Sequence, residues 1–135
     1  MTKRTHEEVV ERVRILVAEA LARDVAEVRA DSLLMDELGA ESLDFLDIVF
    51  RLEQTFEIQI TRGEMEWAAR GSMTDEEFAP GGVISDAGLA RLRELMPEAA
   101  ARIQPGLRPA QILSLFSVAT FARIVEGKLA GESVA

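Results

Sequence analysis

One serine in this sequence stands where it could carry a covalently attached group. Ser42 follows a predicted glycine turn at Gly39 and opens an apolar and acidic stretch typical of a helix, between Glu41 and Asp44. The start of a helix offers free backbone N–H groups and a positive dipole end, which suits a phosphate ester on that serine. Gly39 would let another protein's active site approach the backbone. On these residues alone, a plain serine N-cap is the simpler interpretation.

Other chemistry is poorly supported. The chain has no cysteine, which excludes disulfides, thiolate metal sites and a cysteine nucleophile. Its single histidine, His6, lies in a charged stretch, and no predicted strand precedes Ser42, so a serine hydrolase elbow does not fit. We expect no dedicated metal site, because EF-hand spacing is missing from a cluster of acids that we interpret as a docking surface. Those acids are Asp36, Glu37, Glu41, Asp44 and Asp47.

The spacing of apolar residues predicts helices on both sides of this motif. A T-x-x-E capping pattern at Thr5 and Glu8 opens a first helix that should run to about Arg23. A long ordered loop is expected over residues 24–38, and a second helix over residues 42–56. The second helix is apolar around more of its circumference than a surface helix needs. It is therefore either buried on two sides or available to a binding partner.

The remainder of the chain also reads as helical. A short helix is predicted over residues 61–69, and a capped turn over residues 74–79. An amphipathic helix should begin after Ser85 and end at Pro97, and a last helix should begin after Ser117. We find no internal repeat and no convincing strand, so the predicted fold class is all-α.

Composition indicates a single globular domain over residues 1–135, with 48% apolar and 29% charged residues. No apolar run approaches the length of a membrane span and no signal peptide is recognisable, so we expect a cytoplasmic protein. The net charge of −9 argues against nucleic acid as a partner. Residues 24–57 carry 10 acidic and two basic residues, a net of −8, whereas residues 87–135 carry a net of +2. That field would attract basic partner surfaces, although a merely solvated acidic surface is the simpler alternative.

Taken together, the motif and the order of helices resemble the acyl carrier protein family. The family's G-x-D-S-L signature is matched by Gly39, Ser42 and Leu43. The order of elements agrees over about residues 7–60 and again over residues 116–128. Further matches lie within and just after the second helix: Asp44, Asp47, Glu53, Phe56 and Ile58.

The resemblance implies an acyl-carrier-like four-helix bundle with a helical insertion, about residues 80–109, before the last helix. It implies that a holo-carrier synthase (a phosphopantetheinyl transferase) attaches 4′-phosphopantetheine to Ser42 through a phosphodiester. The thiol of this arm would hold an acyl chain as a thioester, so a chain without cysteine could still perform thiol chemistry. The protein would be a monomer and not an enzyme. It would present the chain to fatty-acid, lipid or polyketide biosynthetic enzymes with basic docking surfaces.

Two surfaces follow from this interpretation. The docking face is predicted to lie on the second helix and to consist of Glu41, Leu43, Asp44, Leu46, Asp47 and Phe50. The acyl groove is predicted between the second and third helices and to be lined by Leu52, Phe56, Ile60 and Trp67. The aromatic residues are otherwise more typical of core packing.

The sequence departs from the family pattern in four respects. Glu41 replaces the aspartate before the serine, Arg51 adds a positive charge, and Glu57 stands where glycine is common. The largest departure is the extra segment of residues 80–109, which we predict to be a lid over the acyl groove. Alternatively, its apolar face docks a partner or packs on the bundle away from the second helix. That face consists of Leu89, Leu92, Leu95 and Met96.

A closer resemblance links residues 42–50, Trp67 and residues 76–78 to the specialised carriers for very long acyl chains in lipid A assembly. The same residues also fit ordinary core packing. Two other functions remain open at this stage. One is an unmodified carrier-like module for protein interaction, and the other is a peptidyl or aminoacyl carrier with the same arm.

Overall fold

A computed structural model of the protein describes residues 5–61 and 70–129. Within those residues it is all-α, with one isolated antiparallel bridge and no strand, which confirms the predicted fold class. The predicted helix over residues 61–69 lies almost wholly outside the described residues. The α-helices are α1 (His6–Ala20), α2 (Ser42–Phe56), α3 (Asp75–Phe78), α4 (Asp86–Leu95) and α5 (Val118–Leu129). Short 3₁₀ segments cover Val25–Glu27, Pro80–Gly82, Pro97–Arg102 and Pro109–Leu115.

Helix α1 begins with the predicted capping box. The Glu8 amide donates to Thr5 Oγ1 at 3.1 Å, and the Thr5 amide donates to Glu8 Oε1 at 2.9 Å. The helix ends at Ala20, three residues earlier than predicted, where Ala22 adopts a left-handed φ of 54°. Its buried face packs against α2 and α5. That face consists of Val9, Val13, Leu16, Val17 and Ala18.

Three phenylalanines join α2 and α5 in the core. The rings of Phe45, Phe116 and Phe121 are mutually in contact, with centroids 5.3 to 6.2 Å apart. Edge-to-face pairs of this kind add to the stabilisation from burial alone. The interpretation of the aromatic residues as core is therefore confirmed for these three phenylalanines. Phe50 is 58% exposed and does not fit it, and Trp67 lies outside the described residues.

The extra segment of residues 80–109 packs into the same core as the helices. Leu89, Leu92 and Met96 are buried and belong to one hydrophobic cluster with the apolar faces of α1, α2 and α5. The packing is tight at Gly88, where an added Cβ would lie 2.6 Å from the side chain of Ile84. The apolar face of α4 is thus largely covered within the chain itself.

A half-buried carboxylate anchors this segment to the start of α5. Glu98 Oε2 accepts from the Ser117 hydroxyl at 2.5 Å and from the Thr120 hydroxyl at 3.1 Å. The Arg123 guanidinium lies 2.9 Å from the other carboxylate oxygen. Burial raises the pKa of Glu98, but the hydrogen bond from Ser117 and the charge of Arg123 outweigh burial, so its pKa lies below the usual value of 4.5.

The lowered pKa of Glu98 predicts a pH-dependent contribution to stability. A carboxyl group with a depressed folded pKa stabilises the protein fully above its unfolded pKa and loses that contribution as pH falls through the folded value. We expect Glu98→Gln to lower the free energy of unfolding by about 1–2 kcal/mol at neutral pH. The difference from wild type should shrink as the pH falls below about 4.5. Urea denaturation across this range measures it.

Glu94→Gln is the matched control. Glu94 is exposed on the neighbouring helix α4, and its substitution removes the same charge. This variant should stay within about 0.5 kcal/mol of wild type. A Glu98→Gln difference that is constant from neutral to acidic pH would contradict the assignment of the effect to the ionised carboxylate.

Helix α2 ends in a left-handed residue that is not glycine. Glu57 has φ 55° and ψ 49°, and its amide donates to the Glu53 carbonyl. The Ile58 amide also donates to that carbonyl at 3.2 Å, and the Ile60 amide donates to the Glu53 carboxylate at 2.9 Å. The end of α2 thus closes with the geometry that glycine favours, although a side chain occupies the position.

We therefore predict that Glu57→Gly raises the free energy of unfolding by up to about 1 kcal/mol, since glycine adopts a positive φ without steric conflict. Glu57→Ala removes the same charge but keeps the Cβ, so it should give no such gain. Equal stabilisation by both variants in urea denaturation would attribute the effect to charge and contradict the prediction.

Candidate functional site

The site is built on an irregular loop that the start of α5 holds in place. The Leu34 amide donates to the Phe116 carbonyl at 3.0 Å, and the Ala119 amide donates to the Ala30 carbonyl at 2.9 Å. Closer to α2, the Ala40 amide donates to the Leu34 carbonyl at 2.8 Å. Backbone groups of a loop need such partners where water is excluded. The ordered loop predicted before α2 is thus confirmed.

A tight turn within this loop delivers the chain to α2. The Gly39 amide donates to the Met35 carbonyl at 3.1 Å, and Gly39 has the positive φ, 72°, expected of a glycine turn. The Glu37 carboxylate accepts from the Leu33 amide at 2.6 Å, which closes the turn on its inner side. Leu38 and Ala40 are buried on either side of Gly39.

Ser42 is the first residue of α2, and Glu41 is the N-cap. The Asp44 carboxylate accepts from the Glu41 amide at 2.8 Å. The interpretation of Ser42 as the helix cap is therefore wrong, because the capping position falls one residue earlier. Ser42 is exposed, and its hydroxyl has no hydrogen-bond partner among the described residues. An accessible hydroxyl that serves no structural purpose, at the positive end of a 15-residue helix, fits esterification by a phosphate group.

Beside Ser42, α2 shows an apolar stripe to solvent. Leu43, Leu46 and Phe50 are 74%, 68% and 58% exposed, while the opposite face of the helix is buried. Helix α2 is therefore not buried on two sides. It exposes apolar residues that are available to a binding partner. Isolated exposed apolar residues are common, but three at helical spacing form a patch that indicates an interaction surface.

The acidic residues around this stripe differ in their partners. Glu41 is exposed, and the Asp44 carboxylate serves the N-terminus of the helix. Asp47 is paired with Arg51, whose Nε lies 3.1 Å from the carboxylate. Arg51 also approaches Glu19 on α1 at 3.7 Å. The positive charge by which Arg51 departs from the family pattern is therefore partly neutralised by two neighbouring carboxylates.

The residues predicted to line the acyl groove lie in the core. Leu52, Phe56 and Ile60 are 0%, 6% and 6% exposed, and Trp67 lies outside the described residues. Their role as a groove lining stays a prediction, as does the lid. A pocket of about 350 Å³ opens elsewhere, between α1 and α2, and sequence reasoning did not foresee it. Leu16, Phe50 and Arg51 are among its lining residues, and no predicted groove residue is.

Within residues 5–61 and 70–129, no group of three or more histidine, aspartate or glutamate side chains is arranged to bind a metal ion. No helix there is long and apolar enough to cross a membrane.

Comparison with known families identifies the region that contains this site. Residues 11–68 match the family model of the phosphopantetheine attachment site. The resemblance to acyl carrier proteins is thereby confirmed, and so is the predicted cofactor class, because this family carries a 4′-phosphopantetheine prosthetic group. The match spans less than half of the chain and ends before the extra segment of residues 80–109. No solved structure matched the chain.

Proposed function

We propose that this protein is a discrete acyl carrier in which Ser42 holds 4′-phosphopantetheine. The observation that carries the proposal is the exposed Ser42 hydroxyl, which has no partner in the described residues and lies at the start of α2 within the matched region. When bound, the arm supplies the thiol on which an acyl group travels as a thioester. Carrier domains of this family are generally not catalytic, and we propose that this chain catalyses nothing itself.

The surroundings of Ser42 support this role in two ways. The loop before the serine is held by backbone hydrogen bonds, so the hydroxyl has a defined position for the transferase. The helix N-terminus favours the negative charge of the phosphodiester. Neither feature requires the serine side chain for folding, and the residue is therefore free to be modified.

We further propose that α2 provides the docking face. Its apolar stripe of Leu43, Leu46 and Phe50 would bury against the partner, and Glu41, Asp44 and Asp47 would meet basic side chains. Exposed ion pairs contribute only about 0.2–1 kcal/mol each, so the acids chiefly set encounter rate and register. The partners would be the transferase and acyl-transferring or chain-extending enzymes of fatty-acid, lipid or polyketide synthesis. On this proposal the carrier is a cytoplasmic monomer.

The first test of the proposal is the modification of Ser42. Co-expression with a broad-specificity phosphopantetheinyl transferase should add the mass of one phosphopantetheinyl group to the peptide that contains Ser42. Because the chain has no cysteine, one thiol per chain should also become titratable. Ser42→Ala should abolish both signals while leaving stability within about 0.5 kcal/mol of wild type, since the residue is not the helix cap.

Ser72→Ala is the matched control, because Ser72 is also exposed, and it should be modified like wild type. Modification of Ser42→Ala at another residue would contradict the site. A wild-type protein that is never modified would instead support an interaction module without the arm.

The second test concerns the docking face. Asp44→Lys together with Asp47→Lys should slow loading by the transferase at low salt, and the difference should diminish as salt is raised because exposed charges are screened. Leu46→Ala should slow loading at all salt concentrations, since it removes apolar contact. Initial rates of loading measure both effects.

Glu76→Lys together with Asp86→Lys provides the control, because these exposed acids lie in the first turns of α3 and α4 and give the same change in net charge. If this control slows loading as much as the α2 pair, then overall charge and not the α2 face determines the rate.

A further inference from the structure

One short stretch of the extra segment reaches the turn that leads to Ser42 directly through one residue and indirectly, by way of Ser117, through another. Residues Pro97–Arg102 form a 3₁₀ segment with Glu98 near its start and Arg102 at its end. Arg102 forms an ion pair with Asp36, which lies in the middle of the turn over residues 33–39. Glu98 binds Ser117, which forms an antiparallel bridge with Leu33. Neither contact touches Ser42.

The segment that carries these two residues is anchored in the protein by burial and by hydrogen bonds. Ala99 and Ile103 are 2% and 0% exposed, so both ends of the stretch are anchored in the core. The Arg93 side chain donates to the Ile103 carbonyl at 2.6 Å, and the Arg123 side chain donates to the Leu95 carbonyl at 2.7 Å. A backbone fixed in this way has less conformational freedom to lose when Arg102 forms its ion pair.

The turn over residues 33–39 sets the position of Ala40, two residues before Ser42. The Glu37 and Leu38 amides both donate to the Leu33 carbonyl, at 3.0 and 3.2 Å. The Ala40 amide then donates to the Leu34 carbonyl, which closes the turn. Asp36 lies on the exposed side of this turn, where loop backbone is otherwise free to open.

We propose that the extra segment of residues 80–109 positions the Ser42 loop for loading, with Arg102 and Glu98 as positioning residues. The proposal rests on the proposed function, since it concerns how Ser42 is presented to the transferase. It differs from the lid prediction, because the contacts run to the loop and to α5 rather than across an acyl groove. The segment thus acts on the attachment site from outside the region that matches the family.

The direct test is amide hydrogen exchange of the unmodified protein. Arg102→Ala and Asp36→Asn should each speed exchange of the Leu34, Leu38 and Ala40 amides by about 1.4- to 5-fold, the range for an exposed ion pair of about 0.2–1 kcal/mol. Amides of Val13 and Val17 in α1 should exchange as in wild type. The double variant should be no faster than either single variant, because both remove the same interaction.

Swapping the charges of residues 36 and 102 tests whether the ion pair can be restored. Asp36→Arg combined with Arg102→Asp should restore wild-type exchange at Ala40, whereas each of these changes alone should not. Arg108→Ala is the control, since Arg108 carries the same charge in the same segment but reaches the Gly82 carbonyl and not the loop. Wild-type exchange of the turn amides in both Arg102→Ala and Asp36→Asn would overturn the proposal.

Loading kinetics test the functional consequence. Removing a positive charge makes the protein more acidic and should by itself speed encounter with a basic transferase. Loss of the contact with Asp36 should act in the opposite direction, so kcat/KM for Arg102→Ala should be about 1.4- to 5-fold below that of Arg108→Ala. Glu98→Gln should also reduce kcat/KM, and Glu94→Gln should not.

The outcomes separate this proposal from the proposed function. A wild-type protein that the transferase never loads refutes the attachment site, and hydrogen exchange still decides whether the segment holds the turn. Loading of Arg102→Ala at the rate of Arg108→Ala would overturn the positioning role, even if the turn amides exchange faster.

Discussion

The hydrogen bonds around the first turn of α5 hold together parts of the chain that are far apart in sequence. Ser117 and Thr120 cap the helix reciprocally, with N···O distances of 3.0 and 3.2 Å between each amide and the other hydroxyl. Both side chains are fully buried, and both hydroxyls also donate to Glu98. Buried polar groups are tolerated only when they are satisfied in this way. The result is one junction where the loop before Ser42, the extra segment and α5 meet.

Two arginines from other elements bond to the acidic loop before α2. Arg14 on α1 donates to the Val25 and Val28 carbonyls at 2.6 and 2.9 Å, and thereby holds the beginning of the loop. Near the other end of the loop, Arg102 forms an ion pair with Asp36 in the turn. These cations support the loop backbone and one carboxylate of the turn, and neither of them is paired with Glu41 or Asp44. The cations that support the loop are therefore bonded to groups other than the two acids beside Ser42.

Local signals account for the features that the sequence predicted well. The helix boundaries of α2 and α5 and the capping boxes at Thr5 and Thr74 depend on residues within four positions of one another. The contacts that position the site have no such local signature. Glu98 meets Ser117 across 19 residues and Arg102 meets Asp36 across 66, so only the packed structure brings them together. The cap at Glu41 escapes prediction from sequence for a different reason, since serine is the more favoured capping residue and the simpler interpretation places the cap at Ser42.

The exposed α2 stripe leaves the helix to be held by its remaining surfaces. Leu43, Leu46 and Phe50 contribute little to folding while they face water, so α2 is held by its opposite face and by its ends. Its N-terminal end continues into a loop whose hydrogen-bond partners include Phe116, beyond residues 11–68. A helix with one exposed apolar face obtains its position from the elements that its other surfaces contact. Here α2 packs against α1 and, through Phe45, against the rings of Phe116 and Phe121. The loop before α2 bonds to the start of α5, so residues remote in sequence help to hold the chain that leads to Ser42.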